Sequence, residues 1–190
     1  MDIQKIKEES IGKLIKNIEY YEEIGSTHTY AKEIAIDKQN DGKLILAEIQ
    51  TLGIGTKGRS WYTGRGKNLA VTIILHPKCK INQLEGLTIE IANKIKESIE
   101  NLYGYELNIK EPNDLMLNNK KICGILTEIN TIGENINYLI ISFGFNVNEE
   151  CFSEETKNIA TSLKREYKKE FSREDILIEI LKNIEKIEQI

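Results

Sequence analysis

The chain is poor in the residues that staple, hinge or anchor a fold. Its three cysteines, Cys79, Cys123 and Cys151, are odd in number, far apart and never spaced as C-x-x-C. They supply neither a disulfide framework nor a zinc site, which fits a reduced, cytoplasmic setting. With two prolines in 190 residues and no Gly/Ser-rich stretch there is no linker, and no repeat or low-complexity segment is present. No apolar run reaches the length needed to span a bilayer, and Met1 leads into a Lys/Glu-rich stretch rather than the apolar core of a signal peptide. There is no basic tract either. Lys and Arg number 26 against 30 Asp and Glu, a net charge of −4 that argues against bulk attraction to nucleic acid. What remains is a globular composition, 40% hydrophobic and 29% charged, in a chain long enough for one well-buried domain with little room for a second.

Periodicity lays out that domain. The first 18 residues read as a short amphipathic helix or arm, too little for a separate DNA-reading unit. IEYYEEI (18–24) alternates as a strand, and at least one of Tyr20 and Tyr21 should face the core. Ser26 then stands as an N-cap before a helical THTYAKEIAI. KLILAEIQ (43–50) and NLAVTIIL (68–75) are strands, the second ended by His76-Pro77, with His76 read as a surface cap. Leu and Ile at three- and four-residue spacing predict one helix over 81–103. Strand-like segments follow at 106–110, 114–118, 120–129 and 136–147, the last two forming a hairpin. From Ser172, SREDILIEILKNIEKI is an amphipathic helix with a candidate capping box. The sum is α+β: a mixed, largely antiparallel sheet flanked by helices.

The most conspicuous local feature is TLGIGTKGRSW (51–61), which satisfies G-x-G-x-x-G through Gly53, Gly55 and Gly58. A dinucleotide-binding turn requires a helix to open at the third glycine and an acidic residue about 20 positions on. Here Gly64, Gly66 and a β-branched strand follow instead, and the next acidic residue is Glu85. The P-loop and kinase-loop readings fail as well, because Arg59 stands where a P-loop lysine is needed and V-A-I-K, H-R-D and D-F-G are absent. Five glycines in 14 residues beside Lys57, Arg59, Arg65 and Lys67 instead suit a backbone loop that closes over an anion. A basic surface turn would look the same. A second constellation lies in KEPNDLMLNNKKICGILTEI (110–129): Pro112 projects Asn113 and Asp114, where the Asp could hold Mg²⁺ and the Asn could orient phosphate. Lys121 opens an otherwise apolar strand, either snorkelling to solvent or aimed at an anion, and Cys123 reads as a small apolar packer.

Together these segments resemble the catalytic domain of the biotin protein ligase family. The family's G-R-G-R-x-G-R-x-W loop matches Gly53 to Trp61, K-W-P-N-D matches Lys110 to Asp114, and K-x-x-G-I-L-x-E matches Lys121 to Glu128. S-T-N matches Ser26-Thr27-His28, and G-x-G-I-N-V matches Ser142 to Val147. The resemblance implies the biotin/lipoate ligase fold, which is like that of class II aminoacyl-tRNA synthetases. It implies a two-step reaction: biotin and Mg-ATP give biotinyl-adenylate, and biotin then passes to a lysine of the biotin carboxyl-carrier protein of a carboxylase. By position, Lys121 and Arg59 would be catalytic. Ser26, Thr27, Gln50, Gly53 and Gly124 would bind biotin. Lys57, Trp61, Lys110, Asn113 and Asn146 would bind the nucleotide, and Asp114 the Mg²⁺.

The departures from the pattern are specific. Ile54 and Thr56 replace two arginines of the loop, Glu111 replaces the tryptophan of K-W-P-N-D, Ser142 replaces the first glycine of G-x-G, and His28 replaces an asparagine. They imply weakened or altered adenylate binding, and they support the alternative of an inactive paralog that binds a small molecule or partner. A lipoate or octanoate ligase would carry an R-R-x-S-G-G-G loop followed by a histidine, and this chain has neither. The expected organisation is a single catalytic domain over 1–190, without the N-terminal helix-turn-helix or C-terminal SH3-like module of some relatives, acting without nucleic acid or membrane. A sheet edge would permit a homodimer.

Overall fold

The computed structural model describes residues 1–190. It contains α1 (Ile3–Ser10), β1 (Asn17–Ile24), α2 (Thr27–Ile34), β2 (Lys43–Gln50), β3 (Leu69–Leu75), α3 (Leu87–Tyr103), β4 (Asn108–Lys110), β5 (Asp114–Leu117), β6 (Lys120–Ile132), β7 (Asn135–Phe145), α4 (Leu163–Tyr167) and α5 (Arg173–Ile184). The seven strands form one sheet in the order β1-β2-β3-β7-β6-β5-β4. Only β1 and β2 are parallel, as the helical crossover α2 between them requires; every other pairing is antiparallel.

Alternation along the strands divides their side chains between two faces. One face presents Leu44, Leu46, Val71, Ile73, Leu139, Ile141 and Phe143 to the main core, which also takes Ile91, Ile95 and Ile99 from α3, Ile176, Ile180 and Ile184 from α5, and Ile6 from α1. On the other face lies the helix α2, whose Ala31 and capping Ala35 pack on Ile45, Ile74 and Ile140. Tyr20 leans on the first core and Tyr21 on the second. Both tyrosines therefore pack, one on each face.

The helix expected over 81–103 divides in two. A 3-10 turn spans Ile81–Leu84, and Gly86 at φ +81° breaks the chain before α3 begins at Leu87. A left-handed residue cannot continue a right-handed helix, so the apolar spacing overran a glycine that stops it. The five-residue α4 is too short for periodicity to reveal and went unpredicted. His76 is a clamp rather than a surface cap: its backbone N–H donates to Asp41 Oδ1 (2.8 Å), and its Nε2 lies 2.9 Å from the Ala35 carbonyl. Cys123 is fully buried, and burial pushes its thiol well above the ordinary range. It packs as a hydrophobe.

Candidate active site

Side-chain size along the α2-covered face makes the site. Across β3, β7 and β6 the face carries Ile74–Ile140–Glu128 in one row, Thr72–Ser142–Leu126 in the next, and Ala70–Gly144–Gly124 in the third. Bulk falls away toward the end where α2 no longer covers the sheet, and a cleft opens there. Thr27, His28 and Gln50 form one wall, Asn113 and Lys121 the opposite one, and Ile54, Gly55, Thr56 and Trp61 of the glycine loop the cover.

Six of the residues singled out by sequence thus line a single cleft: Thr27, Gln50, Trp61, Asn113, Lys121 and Gly124. Ser26 does not line it but builds it. Its Oγ accepts from the Thr29 N–H (3.4 Å) as the N-cap of α2, which sets Thr27 and His28 in the first turn. Thr27 donates to Gln50 Oε1 from both its backbone N–H (2.9 Å) and its hydroxyl (3.0 Å). Gly53 lets the loop return on itself. The Trp61 N–H donates to the Gly53 carbonyl (2.8 Å), and a Cβ at Gly53 would lie 2.3 Å from the Trp61 carbonyl oxygen.

Trp61 lies on a shelf of glycine. A Cβ at Gly144 would fall 2.2 Å from its indole, and one at Gly124 would fall 3.0 Å from Lys121 Nζ and 3.1 Å from the indole. The Lys121 ammonium is 5.5 Å from the indole centroid, within reach of a cation–π contact. The loop itself is ordered by Gly55 N–H to the Arg59 carbonyl (2.7 Å) and an Ile54–Ser60 bridge.

The remaining predicted residues lie elsewhere. Arg59 is exposed, and its guanidinium folds back on Thr56, donating to the carbonyl (3.3 Å) and to Oγ1 (3.0 Å) rather than pointing into the cleft. Lys57 and Lys110 are exposed and outside the lining. Asn146 is buried and structural, its amide donating to the Thr161 carbonyl (3.0 Å). Asp114 does not fit a resident metal ligand. Its Oδ1 lies 2.6 Å from Lys121 Nζ, and no group of three or more His, Cys, Asp or Glu is placed to hold a metal.

Two residues noted only as departures prove to belong to the wall. His28 Nδ1 lies 2.8 Å from Ser142 Oγ, and His28 Nε2 lies 3.2 Å from Glu128 Oε2. Burial lowers the His28 pKa against the pull of Glu128. Burial also raises the Glu128 carboxyl, but Lys32 (2.7 Å) and His28 outweigh it and hold it below its ordinary value. Mutual contact across 114 residues leaves no signal in a single sequence.

The sequence model of the Biotin/lipoate A/B protein ligase family matches residues 20–146. The chain is 34% identical over 169 residues to the bifunctional ligase/repressor BirA of Bacillus subtilis, spanning 88% of this chain and 52% of that protein. It is 31% identical over 105 residues to the biotin–[acetyl-CoA-carboxylase] ligase of Paracoccus denitrificans, covering 54% and 43% of the two. Among solved structures, the biotin protein ligase of Aquifex aeolicus in complex with biotin and ATP aligns with a TM-score of 0.76 at 28% identity, over 90% of this chain and 69% of that one. The chain belongs to the biotin/lipoate A/B protein ligase family, and its sheet and helices are those of a biotin protein ligase catalytic domain. It spans about half the length of the Bacillus relative.

Proposed function

We propose that the chain activates biotin with ATP and transfers it to a carrier-protein lysine. The observation that supports this best is the convergence of Thr27, Gln50 and Gly124 with Lys121 in one cleft under the glycine loop. Polar groups at one end suit a polar ring, and Leu126 with the bare floor of Gly144 and Gly124 suits an apolar acyl chain. Lys121 is the one cation in the lining.

In this reading a biotin carboxylate oxygen attacks the α-phosphorus of MgATP. The bond to the bridging oxygen breaks, and pyrophosphate leaves. The Lys121 ammonium holds the carboxylate and offsets charge building on the acyl-phosphate, an electrostatic role that grows toward the transition state. The amine of the carrier lysine then attacks the acyl carbon, AMP departs, and the amine proton is lost to solvent. Trp61 and the loop shield the mixed anhydride from water. The two missing loop arginines favour a slow enzyme: Ile54 and Thr56 stand in the cover where each arginine would have brought a permanent charge.

Mass spectrometry of the products formed from purified protein, MgATP and biotin, with lipoate and octanoate in parallel, tests the proposal. Biotinyl-adenylate is the expected product. A lipoyl or octanoyl adenylate in its place moves the chain to the sister activity, and no adenylate from folded protein overturns the ligase reading.

A further inference from the structure

Five side-chain contacts run unbroken across the sheet behind the cleft: Glu128 Oε2 to His28 Nε2 (3.2 Å), His28 Nδ1 to Ser142 Oγ (2.8 Å), Ser142 Oγ to Thr72 Oγ1 (2.9 Å), Thr72 Oγ1 to Thr27 Oγ1 (2.9 Å), and Thr27 Oγ1 to Gln50 Oε1 (3.0 Å). The members are buried or half-buried, and each contact needs one hydrogen. The ends of the chain supply none. Glu128 is an ionised carboxylate paired with Lys32 (2.7 Å). The Gln50 oxygen is fixed as an acceptor by the Thr27 backbone N–H (2.9 Å). Between them stand three hydroxyls and an imidazole, which when neutral carries one hydrogen. Four hydrogens serve five contacts, so one oxygen in the chain lacks a donor.

The groups facing His28 do not make up the difference. Glu128 comes from β6 and Lys32 from the same helix, while β7 and β3 present only the hydroxyls of Ser142 and Thr72. Burial favours the neutral imidazole. Its hydrogen then belongs on Nε2, toward Glu128, since two acceptors would otherwise face each other. Nδ1 accepts from the Ser142 hydroxyl, and the Thr27 hydroxyl donates to Gln50. Thr72 has one hydrogen for both Thr27 and Ser142. When it serves Thr27, Ser142 Oγ is left with a lone pair and lies in the cleft wall.

We infer that His28 and Ser142, two departures from the family pattern, form a matched specificity pair: His28 takes the Ser142 hydrogen and turns the Ser142 oxygen into an acceptor for a ring N–H of the bound ligand. The inference rests on the proposed biotin reading, and a cyclic urea such as biotin's head group offers such an N–H. An imidazolium would supply the fifth hydrogen from within the protein and compete with the ligand for the same vacancy. Ligand binding must then displace that proton.

Isothermal titration of biotin into the intact chain from about pH 5 to about pH 8, the range in which histidine titrates, reads this directly. Below the His28 pKa, affinity should weaken by up to about tenfold per pH unit, the limit for one displaced proton. The slope should disappear in Ser142→Ala and in His28→Asn. Nitrogen NMR of the ligand-free protein, with His76→Gln to leave one imidazole, should show the Nε2–H tautomer at neutral pH. An Nδ1–H tautomer, a flat wild-type profile, or a slope that survives Ser142→Ala overturns the pair. Biotin that binds with a flat profile overturns the pair and leaves the biotin reading standing. Biotin that binds at no pH overturns the biotin reading, and the ligand named here with it.

Discussion

Lys121 and Trp61 meet over two glycines, and substitution separates their contributions. Lys121→Met removes the one cation of the cleft lining and should slow adenylate formation by about 10²–10³-fold, the scale for losing a group aimed at developing charge. Pyrophosphate release under saturating biotin and ATP measures it. A change in KM alone, with kcat intact, would show Lys121 to be a ground-state contact only. Gly144→Ala acts on the neighbouring indole. Its new Cβ would sit 2.2 Å from Trp61 atoms, so the ring must leave the shelf. Trp61 is the single tryptophan in the chain, and its emission should shift to the red as the half-buried indole meets more water. An unchanged spectrum would mean that strand β7 yields instead of the ring.

Besides the Trp61 contacts, a side-chain hydrogen bond joins the glycine loop to the start of the β5–β6 hairpin. Asn113 is buried, and its amide donates to Thr56 Oγ1 (3.3 Å) and to the Ile125 carbonyl (3.0 Å). Asn113→Ala should loosen that junction. It leaves a buried carbonyl unpaired at a cost of about 1–3 kcal/mol, and the Gly55 and Trp61 amides, bonded within the loop, should exchange with deuterium faster than in the parent. Equal exchange would show that the loop holds its shape unaided. Elements of this kind were readable from sequence in proportion to how local their determinants are. Strand β2 was predicted at its observed bounds because KLILAEIQ is aliphatic, β-prone and enters a glycine loop directly. The N-caps Ser26 and Ser172 were legible because capping acts over three residues. The site was legible where a contiguous motif carried it, as in Lys121 to Gly124. It was illegible where partners come from different elements, as in His28 of α2 with Ser142 of β7, or Asp114 of β5 with Lys121 of β6, a pair whose geometry depends on sheet register. For Arg59 and Asn146 the sequence left the side-chain direction open for a related reason: position in a motif does not say which way a side chain turns.

At the scale of the whole molecule, one buried ion pair ties the sheet to the last helix. Glu48 on β2 accepts from both terminal nitrogens of Arg173 on α5 (2.9 Å each) and from the Gly66 N–H (2.8 Å), and the Met1 ammonium lies 3.0 Å away. Burial alone would raise this carboxyl, but these donors bring it down to about 2. A carboxyl depressed on folding stabilises the protein above its ordinary pKa of 4.5 and loses that contribution as pH falls toward about 2. About 3 kcal/mol of stability should therefore vanish across that interval. Denaturant titration at successive pH values measures it, and Glu48→Gln should flatten that part of the profile. At neutral pH Arg173→Leu should cost about 3–5 kcal/mol, because Glu48 is then buried without its partner; a loss below about 1 kcal/mol would place the pair among ordinary surface bridges. The order of strands carries a consequence of another kind. β3 finds its neighbour in β7, with Leu69 opposite Phe145 and Thr72 opposite Ser142. A nascent chain emerging from the ribosome must hold β3 exposed along that edge until the 60 to 70 residues through β7 have followed it. Until then there is no cleft wall for a ligand to find, and the apolar LAVTIIL stretch is the segment a chaperone would meet first.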